Sequence, residues 1–184
     1  PRMEINGYVN ITEGFHTTDL TDEEEWVTIS AINFSLENEI NFGNFIDPIS
    51  NDLIDLDELP LNHCAIYYGF NDIIKYSEND TIEIKMRFIH GDKILTKTVN
   101  MTIDKIFDFN LKWPSHYRTD NLIVVDINTL YQYFGFEEFD GKCSDLILTF
   151  KQANIYDVRN LESTNSLVKD IITDIQIVIG VNEY

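Results

Sequence analysis

The side chains best equipped for chemistry in this chain are scattered. His63 and Cys64 are adjacent, the residue types of a thiol–imidazole pair in which the ring draws the proton from the thiol. The segment Cys64–Tyr67 reads as a strand, however, and neighbours along a strand point to opposite faces, so the two cannot share a proton. Cys64 is expected to be a buried structural thiol. Asp52, Asp55, Asp57 and Glu58 form a dense carboxylate cluster of the kind that suits Ca²⁺. A calcium loop needs oxygens at alternate positions around a central Gly, and this spacing does not match, so the cluster reads as a solvated acidic loop. His16, His90 and His116 stand alone in segments that read as loops. The segment Lys112–Arg118 differs in kind. Trp113, His116 and Tyr117 around Pro114 are types that anchor protein contacts, and equally types that fold back onto a core. These three are the candidate partner-contact residues.

Motifs with a defined mechanism do not occur. The chain has neither GxGxxG nor GxxxxGKS/T, and no GxSxG, HExxH or CxxC. With 32 Asp and Glu, a pair of carboxylates close in space is expected by chance, so an acid–base pair cannot be singled out. No catalytic residue, no metal and no cofactor are expected. The two cysteines, Cys64 and Cys143, are too few for a disulfide scaffold; they either pair in an oxidising compartment or stay as two small buried thiols. Asn10, Asn33, Asn79 and Asn100 each begin an N-x-S/T sequon, where chance alone supplies about two.

The 184 residues suit one domain, and 43% apolar residues are enough for a core. Thirteen Lys and Arg against 32 Asp and Glu give a net charge of −19. Such a surface repels phosphate backbones and anionic headgroups, which argues against nucleic-acid and membrane-surface partners. No apolar run is long enough to span a bilayer. A chain beginning with Pro1 reads as a piece of a longer or processed protein.

The elements that must position these residues are mostly strands. Asn6–Thr12 and Trp26–Asn33 are rich in β-branched and aromatic types, with the acidic run Asp22–Glu25 between them as a loop. Phe34–Pro60 loses periodicity and reads as a long irregular connection. Cys64–Tyr67 is a short strand, followed by helical turns at Phe70, Ile73 and Ile74. Thr81–Phe88 alternates, with Ile82, Ile84, Met86 and Phe88 on one face. Gly91-Asp92 turns the chain into a return strand ending near Asp104, and the aromatic loop Phe107–Asp120 follows. Leu122–Val125 is apolar at every position, as in a strand buried on both faces. Asp126 caps a helix carrying Ile127, Leu130, Tyr131 and Phe134, and Gly135 stops it. Leu146, Leu148 and Phe150 alternate in another strand, and Leu161–Ile179 reads as a long amphipathic C-terminal helix. The expected class is α+β, with a mixed, mainly antiparallel sheet, a few helices and that long C-terminal helix.

Four passages resemble the extracytoplasmic core domain of FtsX/LolC/MacB-type ABC transporter permeases. They are the opening Pro1–Val9; Trp26–Asn33 with its drift to Asn41-Phe42-Gly43; Cys64–Tyr67 with the helix and the Glu78–Ile84 phrase; and Asn121–Asp126, Thr129–Phe134, Ser144–Phe150 and the closing helix. Asn79 stands where the family has the Gly of a GD turn, Asp126 where it has Pro, and His63 where a small residue is common. The resemblance implies a porter-like lobe from residues 1–60 and 121–184 with an inserted β-rich lobe from 61–120. It implies a non-catalytic domain outside the cytoplasmic membrane, part of a membrane-embedded dimeric permease, with the isolated domain monomeric. A cytoplasmic ATP-binding subunit or domain supplies the energy, and an extracytoplasmic protein or lipophilic substrate receives the motion. Phe34–Pro60 joins Lys112–Arg118 as a candidate contact loop. The rival readings are a secreted or surface adhesion module that grips a protein or glycan through the aromatic loop, and a hydrolase without a familiar motif.

Overall fold

The structure, a computed structural model, describes residues 2–11, 23–37, 45–54, 56, 59–109, 121–140, 144 and 161–179. Along the chain run β1 (Arg2–Ile11), β2 (Glu23–Ile32), α1 (Phe34–Glu37), β3 (Phe45–Ile46) and β4 (Leu53–Ile54). Then come β5 (His63–Tyr67), α2 (Tyr68–Ile74), β6 (Thr81–His90), β7 (Lys93–Phe109), β8 (Leu122–Asp126) and α3 (Ile127–Phe134). A short 3-10 turn, Phe136–Glu138, follows α3, and α4 spans Leu161–Ile179. The chain divides into two compact units, Pro1–Ile147 and Leu148–Tyr184, and α4 is the described element of the second.

Two hairpins supply most of the first unit. β1 and β2 pair antiparallel from Arg2↔Ile32 to Ile11↔Glu23, and β6 and β7 pair from Thr81↔Thr102 to His90↔Lys93. The second hairpin turns at Gly91, whose φ of 57° a glycine adopts without a Cβ penalty. In β1, a Cβ on Gly7 would sit 2.6 Å from Ile29 Cδ1, so the missing side chain lets Ile29 of the partner strand fill the interior.

Long-range pairings close these strands into a ring. The order β7-β5-β8-β2-β1-β6 returns to β7 through the β6–β7 ladder, and β3 and β4 extend the sheet beyond β7. β2 with β8 and β5 with β7 are parallel; the other ring contacts are antiparallel. The interior is filled by side chains, among them Val9, Ile29, Ile84, Met101, Ile123 and Val125, all fully buried. A barrel of this size holds side chains rather than a channel. A second core lies on the outer face of β5 and β8. There Phe34, Phe45, Leu56, Leu59 and Phe107 cover Ala65, Leu122 and Val124.

This architecture corrects the expected fold. The first unit is a closed six-stranded barrel with two added strands, not a mixed α+β fold of two lobes, while the C-terminal helix expected over Leu161–Ile179 is present as α4. The described part of the expected inserted β lobe of 61–120, residues 61–109, does not stand apart, because β6 pairs with β1 and β5 pairs with β8 in the same ring. Alternation fixes which face of a strand is buried, but not which strand meets its edge, and the edges decided this fold. Two boundaries also differ. Glu23–Glu25 belong to β2 rather than to a loop, and β7 runs on to Phe109, placing Phe107 in the second core.

Candidate functional site

The two described histidines, His63 and His90, are bound to carboxylates on different parts of the barrel. His63 Nδ1 lies 2.6 Å from Asp104 Oδ1, and the ring N–H donates, because an ionised carboxylate can only accept. The bond ties the start of β5 to β7 beside the register shift between Cys64 and Ala65. Cys64 points the other way, into the barrel, as a free and fully buried thiol. Burial pushes it up to about 12, with the Asp104 carboxylate adding to the shift, so it is inert as a nucleophile near neutrality. His90 ends β6 rather than lying in a loop, and its Nδ1 bonds Glu138 in the 3-10 turn. Neighbouring Tyr131 is raised as well, first by burial and then by Asp140 and Asp126.

Of the acidic cluster, Asp52 is exposed, while Asp55, Asp57 and Glu58 lie outside the described residues. Among the described residues no group of three or more His, Cys, Asp and Glu side chains is arranged to hold a metal ion. Nearby, Asp47 accepts backbone N–H bonds from Ser50 and Ile49, both at 2.8 Å, and these hold its carboxyl below the usual range. Trp113, His116, Tyr117, Cys143, His16 and the expected strand at Leu146–Phe150 all lie outside the described residues. Among the described residues no helix is long and apolar enough to cross a membrane.

The cluster that sequence reasoning missed is on the outer wall formed by β1, β2, β6 and β7. Register places Tyr8 between Trp26 and Lys85, and Asn6 between Thr28 and Arg87. Lys85 Nζ lies 3.2 Å from Glu24 Oε1 and 6.0 Å from the centre of the Tyr8 ring. Arg87 is half-buried and has no hydrogen-bond or ion-pair partner among the described residues. It lines two grooves. One, of about 450 Å³, includes Glu4, Asn6, Trp26 and Ile89; the other, of about 440 Å³, includes Tyr8, Glu24, Lys85, Ile94 and Thr96. Beside the first groove the β1–β6 ladder covers only Asn6–Val9, and the Glu4 N–H donates to Ser144 Oγ at 2.8 Å. The alternation of Thr81–Phe88, with Ile82, Ile84, Met86 and Phe88 inward, puts Lys85 and Arg87 on the opposite face; what the sequence lacks is the cross-strand neighbour that brings Tyr8 and Trp26 beside them.

A third groove, of about 360 Å³, opens at the ends of the parallel strands β2 and β8, between Asn33, Ser35, Asp126 and Asn128. Its polar groups are engaged locally. Asn33 Oδ1 accepts from Ser35 and Leu36, and Asp126 accepts from the Asn128 backbone as the cap of α3. Compared with known proteins, the chain matches no family model, and no curated relative matches it.

Proposed function

We propose that this chain is a non-catalytic extracytoplasmic domain of an FtsX/LolC/MacB-type ABC transporter permease, carrying ATP-driven motion to a substrate or partner outside the membrane. The observation that carries the reading is the passage from β5 through α2 into β6. Asn79 stands there where the family has a turn glycine, and it takes φ 70°, the left-handed conformation for which that glycine is used. Asp126, standing in place of the family's Pro, keeps the strand-to-helix junction by capping α3. The reading rests on these passages and not on a two-lobe architecture, which the closed barrel replaces. A barrel filled with apolar side chains works through its surface, which suits a part that is pushed and pushes in turn. In this reading the full-length protein is a membrane-embedded dimer, and a cytoplasmic ATP-binding subunit or domain does the hydrolysis.

The encoding gene tests it. The expected result is a membrane-spanning helix before this segment and three more after it, together with no ATP hydrolysis by the isolated domain. A reading frame without membrane-spanning segments on either side overturns it. A surface-binding module is the second reading, favoured by the exposed Trp26 beside Arg87, and it calls for a secretion signal and repeated domains in the same gene.

A further inference from the structure

We propose that the outer wall formed by β1, β2, β6 and β7 docks an acidic polypeptide segment, with a carboxylate on Arg87 and apolar side chains on Trp26, Ile89 and Ile94. The inference does not depend on the permease reading. Its first support is charge. In a chain with 32 Asp and Glu, Lys75, Lys85 and Lys105 are each paired with a carboxylate, on Asp72, Glu24 and Glu78. Arg87 is half-buried between two grooves and holds no partner among the described residues. Its guanidinium is a planar fork of donors that matches a carboxylate with two parallel bonds, and partial burial strengthens such a pair relative to water.

The second support is apolar surface placed around that fork. Trp26, Ile89 and Ile94 are 42%, 53% and 56% exposed, all on the outer side of the wall. The two grooves share Arg87, so a chain lying along the wall meets an apolar stretch on each side of one cation. Side chains two apart on a strand share a face at roughly 7 Å, so an extended peptide with a carboxylate at one position and an apolar residue two further on presents both to the wall. The net charge of −19 opposes an acidic partner at long range, and Glu4 and Glu24 line the same grooves, Glu24 held by Lys85; screening over about 8 Å at physiological salt leaves the contact at Arg87 to decide. An exposed Trp among polar groups also suits a neutral sugar; the half-buried cation, without a partner among the described residues, favours the anion.

The test uses the full chain in a Trp113→Phe background, which leaves Trp26 as the sole indole of the two. The probes are a soluble peptide repeating Glu-Ser-Leu-Ser, which sets Glu and Leu in turn along one face, its Lys–Leu counterpart with Lys for Glu, and maltohexaose. Expected is a saturable change in Trp26 emission with the Glu–Leu peptide alone, weakened about tenfold or more in Arg87→Gln. Ile94→Glu puts a carboxylate at the groove and weakens binding in the same direction, so a misfolded Arg87 variant does not leave the question open. Equal binding in both variants, equal binding of the Lys–Leu peptide, a response to maltohexaose alone, or no saturable response overturns the proposal.

Discussion

On the β5–β8 side of the barrel, Leu122 and Val124 turn outward and are fully buried beneath Phe34, Phe45, Leu56 and Leu59. On the β1–β6 side, Trp26, Ile89 and Ile94 turn outward and stay between 42% and 56% exposed. One ring thus has a covered wall and a bare one. The covered wall is written as continuous apolar sequence, Leu122-Ile123-Val124-Val125, because both of its faces meet other side chains. The bare wall is written as alternation, with Lys85 and Arg87 between Ile84, Met86 and Phe88, because one face meets water. The lesson is that the crossover after β2 is irregular for a packing reason: it supplies the lid of the second core.

The largest expected effect tests the core under that lid. Phe107 is fully buried and meets the Phe45 ring edge-on at 4.9 Å, so Phe107→Ala should cost about 3–5 kcal/mol in urea unfolding. A cost no greater than that of truncating Trp26 would break the distinction between the walls. A second measurement concerns the thiol inside the covered wall. The folded-state value of Cys64 is raised from 9.0 to about 12, so its contribution is complete below about pH 9 and is lost as pH rises toward 12. The expected loss is up to about 1.4 kcal/mol per pH unit in that window, and Cys64→Ala should flatten the profile relative to the parent. The smallest effect belongs to the bare wall. Trp26→Ala should cost no more than about 1 kcal/mol, the scale of a cross-strand pair on an exposed face.

Much of the fold was legible residue by residue. The alternation of Thr81–Phe88, the turn at Gly91, the apolar run of β8 and the Asp126 cap each name a local structure, and each is where its sequence says. Ring closure was not legible, because β1 with β6 and β2 with β8 join segments far apart in sequence, and hydrophobic patterning carries no partner address. Glu23–Glu25 entered a strand against their propensity because β1 offered them a ladder in register. Of the site, the outward face of β6 could be read, while Trp26 and Tyr8 joined it only through pairing. The His63–Cys64 separation was readable, since strand geometry alone puts them on opposite sides.

The position of β8 in the ring has a consequence for how the protein comes to be. β8 lies between β2 and β5, yet it is made after both. A nascent chain that has finished β7 therefore presents β2 and β5 with one edge each still lacking its eventual neighbour. Such edges invite pairing with other chains until Leu122–Asp126 emerges and slots between them. Completion of the barrel is thus a late event governed by sequence-distant pairing, the kind of step that sets slow folding rates and makes the interval before it the time of greatest aggregation risk.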